Sequence, residues 1–84
     1  MGHYIYIIKC VDDTLYTGYT TDIERRIAEH NRGEGAKYTR GRTPVKLCHQ
    51  EEFSNRSLAQ KREYKIKQLS RKQKLQLIRD DVDE

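Results

Sequence analysis

The chain has 84 residues, of which 35% are hydrophobic and 36% charged, with a net charge of +4 at pH 7. That length allows one domain with a small core, and no apolar run approaches the roughly 20 residues of a membrane-spanning helix. The start, Met1-Gly2-His3-Tyr4, lacks the basic segment and long apolar stretch of a secretory leader, and Cys10 and Cys48 lack zinc-site spacing, so a cytoplasmic protein with buried, reduced thiols is expected.

Tyr4 to Cys10 is largely β-branched and aromatic, which reads as a first strand covered on both faces. Asp12-Asp13 supplies a turn, and Thr14 to Tyr19 is a second strand that completes a hairpin. Gly18, near its end, marks a bulge or a close approach by another backbone or a ligand. Thr21-Asp22-Ile23-Glu24 fits a capping box with Thr21 as the cap; the helix then runs to about Asn31, with Gly33 as its stop. At ~100° per residue, His30 falls within ~20° of Ile23 and Arg26 lies ~60° to the same side, so Arg26 and His30 share one flank of the buried stripe.

Gly33 to Pro44 reads as a loop with three glycines, the only proline, and the cations Lys37, Arg40 and Arg42. Val45 to Gln50 alternates apolar and polar residues, as a half-covered third strand does. Ser54 is the expected cap of a helix from about Asn55 to Leu69. Ser70-Arg71-Lys72-Gln73 forms a second capping box and opens a last helix to about Arg79. The order is β-β-α-β-α-α, an α+β fold with helices layered on a small sheet. A single domain over residues 1–79 is expected, followed by an acidic, disordered tail at 80–84.

The last six residues hold one base and four acids, which leaves 16 bases and 9 acids, or +7, on the body. A body so basic attracts polyanions, nucleic acid above all. From Arg56 to Arg79 there are nine Lys or Arg and a single acid, Glu63. Glu63 either pairs with Lys67 one turn on, or serves as a ligand for a divalent cation. Taken singly, Tyr6 and Tyr16 are packing residues of strands, Arg26 is a solvated helix charge and His30 a surface or cap-region histidine. Lys37, Tyr38, Arg40 and Arg42 form either a solvated basic loop or a surface that grips a nucleic-acid strand through phosphates and a stacked base.

Tyr4-Ile5-Tyr6, then Tyr16-Thr17-Gly18, then Arg26 and His30, then Glu63, resembles the GIY-YIG nuclease domain from Tyr4 to about Leu77. The segment Gly35 to Arg42 is similar to that of the small stand-alone bacterial members. The resemblance implies a three-stranded antiparallel sheet flanked by helices. It also implies metal-dependent endonuclease chemistry on DNA with low sequence specificity, in DNA repair or processing. Tyr6, Tyr16, Arg26, His30 and Glu63 would be the catalytic set, with Gly18 structural, Tyr6 as general base and Tyr16 as its partner. Glu63 would hold one Mg²⁺ or Mn²⁺. His30 would aid proton transfer or hold the phosphate. Two positions depart from the motif: Tyr4 stands at the name-giving glycine and Thr17 at the isoleucine. The alternatives are a nucleic-acid binding module that cuts weakly or not at all, and, on charge alone, a small basic accessory protein for the ribosome or RNA.

Overall fold

The computed structural model describes residues 2–82. Its elements are β1 (His3–Lys9), β2 (Leu15–Thr20), α1 (Ile23–Asn31), a 3-10 turn (Lys37–Thr39), β3 (Lys46–Phe53), α2 (Arg56–Lys67) and α3 (Arg71–Val82). The sheet is antiparallel with strand order β2-β1-β3, so the most apolar strand is central. The expected order and architecture are both present.

Side-chain alternation divides β1 between two cores. Ile5 and Ile7 face α2, where they pack with Ala59 and Ile66; Leu15, Tyr19, Phe53, Leu69, Leu77 and Ile78 surround them. Tyr6 and Ile8 face the other way, with Cys10 and Val45, and are covered by Tyr16, Ile23, Ile27 and Leu47. The helices therefore lie on opposite faces: α1 over Tyr6 and Ile8, α2 and α3 over Ile5 and Ile7. Burying both faces of the central strand is how so short and polar a chain secures a core.

β3 serves both cores through an irregularity. Ile7 pairs with His49 and Ile8 with Leu47, so Cys48 is an extra residue in the β1–β3 ladder. A bulge of this kind shifts the alternation by one. Leu47 and Phe53 are six residues apart, yet they pack in opposite clusters.

Three local expectations are corrected. The first helix is capped by Asp22, not Thr21: the Asp22 carboxylate accepts from the Arg25 N–H at 3.1 Å. The second is capped by Asn55, not Ser54, with Asn55 Oδ1 accepting from the Leu58 N–H at 2.9 Å. In both cases two capping residues stand side by side, and only the later one presents its oxygen to the first turn. Third, α3 continues to Val82, three residues past the expected end at Arg79. Residues 83 and 84 of the expected tail lie outside those described. The Ser70–Gln73 box forms as expected: the Ser70 N–H donates to Gln73 Oε1 at 2.9 Å and the Gln73 N–H to Ser70 Oγ at 3.2 Å. Gly33 also ends α1 as expected, in the left-handed conformation at φ 79°. Cys10 is buried and Cys48 half-buried, and neither forms a disulfide.

Candidate active site

Tyr6 sits opposite Gly18 in the β1–β2 ladder. A methyl group built on Gly18 would lie 2.5 Å from the Tyr6 hydroxyl and 2.6 Å from its Cζ. The phenol thus lies flat across the glycine, out toward β2, the edge strand of the sheet. Glycine is required here for space, but what crosses it is the Tyr6 side chain, neither a backbone nor a ligand, and the β1–β2 ladder has no bulge at this position.

The Tyr6 hydroxyl meets His30 Nε2 at 2.9 Å, and His30 Nδ1 meets Thr39 Oγ1 at 2.8 Å. The Thr39 hydroxyl donates in turn to the Ala36 carbonyl at 2.9 Å. Tyr6, His30 and Thr39 are 1%, 0% and 0% exposed. His30 is therefore no surface histidine, and its ring holds the phenol, not a phosphate. Burial pushes the Tyr6 hydroxyl up to about 12, while the Arg26 guanidinium turned toward it works in the opposite direction. Burial, and then the charge of Arg26, holds His30 below the ordinary histidine value, so the ring is neutral at pH 7.

Tyr16 lies beside this pair, its ring 6.4 Å from that of Tyr6 and edge-on to His30 at 5.5 Å. It is half-buried, and so reaches solvent where Tyr6 does not. Arg26 is partly exposed and is held by Glu29 at 3.0 Å.

Glu63 stands on α2, on the other face of the sheet. Arg56 lies over the Tyr19 ring of β2, whereas Arg62 pairs with Glu51 of β3 at 2.9 and 3.0 Å. Glu63 follows Arg56 by seven residues, ~20° away around the helix, so it faces β2. Its charge is felt at Tyr6, whose ionisation it opposes. The carboxylate also carries the expected pair with Lys67, at 3.1 Å. Two phenols thus meet beside Gly18 with the Arg26 guanidinium turned toward Tyr6, while Glu63 stands on α2, on the other face of the sheet, within range for its charge to act on Tyr6.

A family model for the GIY-YIG catalytic domain matches residues 2–76. The chain belongs to the GIY-YIG family. A UPF0213 protein of Natronomonas pharaonis is 61% identical over 80 residues, 95% of this chain and 94% of its own length. A UPF0213 protein of Staphylococcus haemolyticus is 60% identical over 78 residues, 93% of this chain and 95% of its own length. The solution NMR structure of a UPF0213 protein from Bacillus halodurans matches with a TM-score of 0.60 at 51% identity, over 93% of this chain and 83% of that one. That of a protein from E. faecalis matches with a TM-score of 0.66 at 48% identity, over 100% and 90%. These relatives make up a small stand-alone GIY-YIG group, and the domain implies a nuclease-like function on nucleic acid.

The basic loop of this GIY-YIG domain is more engaged than its sequence implies. Tyr38 stacks on Tyr16 at 5.8 Å and carries the Arg42 guanidinium 4.8 Å from its centroid. Arg42 also pairs with Asp12 at 2.6 Å. These contacts brace the loop against the hairpin, and a base stacking on Tyr38 would compete with them. Lys37 and Arg40 are exposed and available to phosphates. A concavity of about 930 Å³ is an open cleft along the outer face of α2 between Arg56 and Lys65. None of Tyr6, Tyr16, Arg26 or His30 lines it, so it is not the site.

Two residues at the site escaped the sequence reading. Thr39 is the inner anchor of His30, and Gly35 lies against the same ring, so close that a methyl group there would come within 2.2 Å of Nδ1. Both stand in a loop whose charges draw the eye, and their signal is their place among the neighbouring cations, not their own chemistry.

Proposed function

We propose that the protein is a metal-dependent endonuclease that hydrolyses DNA phosphodiester bonds with little sequence preference. The single observation carrying this reading is the meeting of Tyr6 and Tyr16 beside Gly18 with Arg26 turned toward Tyr6, and what supports adding Glu63 is that its charge acts on Tyr6 from α2.

The residues present fit one hydrated Mg²⁺ or Mn²⁺. No cluster of three His, Cys, Asp or Glu occurs among the described residues, which argues against a site built wholly of protein ligands. A lone carboxylate suits an ion that keeps several waters and takes its remaining oxygens from a phosphate. Glu63 would hold it. When bound, such an ion polarises the phosphoryl group and relieves charge on the leaving oxygen.

Arg26 donates to a non-bridging oxygen as charge develops there. Only part of its five-donor fork is used by Glu29, and its charge does not titrate at any working pH. Its loss costs on the order of a thousand-fold in rate. Tyr6 is the proposed general base and Tyr16 its solvent-facing companion. A phenol held near 12 does not ionise at neutral pH, so Tyr6 takes a proton from water only while passing its own to His30. Lys37 and Arg40 hold backbone phosphates without reading bases. The cellular role follows as DNA repair or processing in the cytoplasm, and among the described residues no helix is long and apolar enough to cross a membrane.

Cleavage of branched, single-stranded and duplex DNA, and of RNA, with and without Mg²⁺ or Mn²⁺, tests this reading. Glu63→Ala and Arg26→Ala are expected to bind DNA as wild type does and to lose ion-dependent nicking. Equal nicking by all three proteins would expose a contaminant and end the proposal. A second reading, a nucleic-acid binding module without catalysis, draws on the 1% exposure of Tyr6. Tight binding with no cleavage of any substrate would select it.

A further inference from the structure

We propose that Thr39 is a positioning residue that fixes the tautomer of His30, so that Nε2 stands unprotonated against the Tyr6 hydroxyl and receives its proton. Three hydrogen bonds carry the assignment, the two at His30 buried and the one at Ala36 partly so. The Thr39 hydroxyl has one proton, and it goes to the Ala36 carbonyl at 2.9 Å. The Thr39 oxygen is then an acceptor for His30, and the 2.8 Å contact places a proton on Nδ1. A neutral imidazole protonated at Nδ1 has a lone pair at Nε2, and the 2.9 Å contact there is donated by Tyr6.

The opposite tautomer fails at both ends. It would need a second hydroxyl proton on Thr39. It would also turn a ring N–H toward a phenol oxygen already approached by Arg26, a group that can only donate. His30 and Thr39 are both 0% exposed, so water is not at hand to repair the mismatch at Nδ1. Gly35 closes the arrangement from above: any side chain there would strike the ring at Nδ1.

The catalytic half of this inference rests on the nuclease reading, and the tautomeric half does not. In the catalytic half, a proton passes from water to the Tyr6 oxygen as the Tyr6 proton passes to His30 Nε2. The hydroxide so formed attacks phosphorus and the bond to the leaving oxygen breaks. The proton then returns from Nε2 through Tyr6 to that oxygen or to solvent. The Nδ1–H stays on Thr39 throughout. The network follows the same logic as other relays in which a third group orients a histidine, with a phenol in the place of the nucleophile.

The tautomer is read on the full-length ¹⁵N-labelled protein from long-range ¹H–¹⁵N correlations of the imidazole ring. Wild type should show a protonated Nδ1 and an unprotonated Nε2 on His30. The reverse pattern, or an even mixture, would overturn the proposal, and this measurement needs no variant to fold. Thr39→Val keeps the shape and removes the acceptor, and is expected to scramble the two signals, whereas Thr39→Ser should restore the wild-type pattern. An unchanged His30 spectrum in Thr39→Val would refute the role of Thr39. On a DNA substrate that wild type cuts, Thr39→Val should be slower by roughly 10- to 100-fold, the range for a group that orients a functional histidine. Thr39→Ser should recover within a few-fold. Should wild type cut nothing, the nuclease reading and the catalytic half fail together, and the spectrum still decides the tautomer.

Discussion

Replacing Gly18 with alanine is the most direct probe of how the site is built. The glycine has no left-handed backbone angle, so alanine meets no conformational penalty there, and an added methyl in a strand would ordinarily be harmless or mildly helpful. The structure gives the opposite sign. The new Cβ would stand 2.5 Å from the Tyr6 oxygen, 2.6 Å from Cζ and 3.1 Å from Tyr16 Cε2, against an ordinary contact beginning at 3.4 Å. The phenol must retreat by about 0.9 Å, within a core where it is 1% exposed. That movement is comparable to the margin between a 2.9 Å hydrogen bond and none, so the link to His30 is strained or broken. Overpacking costs about 1–3 kcal/mol and the hydrogen bond about 1 kcal/mol. For a domain of this size, about 2 kcal/mol lowers Tm by roughly 8–16 °C. Urea denaturation of Gly18→Ala in two backgrounds isolates the cause. In wild type the cost should be about 2 kcal/mol or more. In Tyr6→Leu, whose side chain stops short of the glycine, it should fall below about 0.5 kcal/mol. An equal cost in both backgrounds would mean that the phenol is not what the methyl strikes, and the account of Gly18 would be wrong.

Further outcomes follow from other parts of the fold. Asn55→Ala should cost about 1 kcal/mol in urea denaturation, with Ser54→Ala near neutral, since only Asn55 caps α2. Arg42→Ala should destabilise the loop, read as faster amide exchange from Lys37 to Gly41, because it removes both the Asp12 pair and the cation over Tyr38. Lys37→Ala with Arg40→Ala should leave exchange unchanged and flatten the log–log salt slope of DNA binding by about 0.7–0.9 for each phosphate that is no longer neutralised. His30 has its folded value depressed, so its contribution to stability is complete above about 6.5 and is lost as the pH falls through the folded value. Wild type should therefore lose stability on acidification between neutrality and pH 5 more steeply than His30→Phe, and parallel pH profiles would contradict the burial of a neutral ring.

The sequence carried the fold well because its signals there are local. An apolar run from Tyr4, a glycine stop at Gly33 and a capping box at Ser70 each act within one element, and each appears where expected. The caps at Thr21 and Ser54 failed for the same reason in reverse. Two adjacent capping residues are equivalent in a string of letters, and only the direction from which the chain enters the helix chooses between them. At the site, the family resemblance named Tyr6, Tyr16, Arg26 and Glu63 but not how each is held. The placement of α1 and α2 on opposite faces is a tertiary fact that no periodicity reports. His30 looked like a surface residue because it stands in a polar helix, and its burial depends on Thr39 and Gly35 folding back over it. Arg42 and Tyr38 looked like free contact groups because their intramolecular partners, Asp12 and Tyr16, are more than twenty residues away.

The extra residue in β3 has a bearing on how this chain tolerates changes of length. Removing Cys48 would not shorten a loop. It would join Leu47 directly to His49 in the pairing each already has, opposite Ile8 and Ile7, so that Val45 and Leu47 stay beneath α1 while His49, Glu51 and Phe53 keep their places under α2. A single-codon deletion at this point would thus straighten the strand and keep inside and outside as they are, and the turn between Gly33 and Thr39 offers open space at Gly33 itself for an added residue.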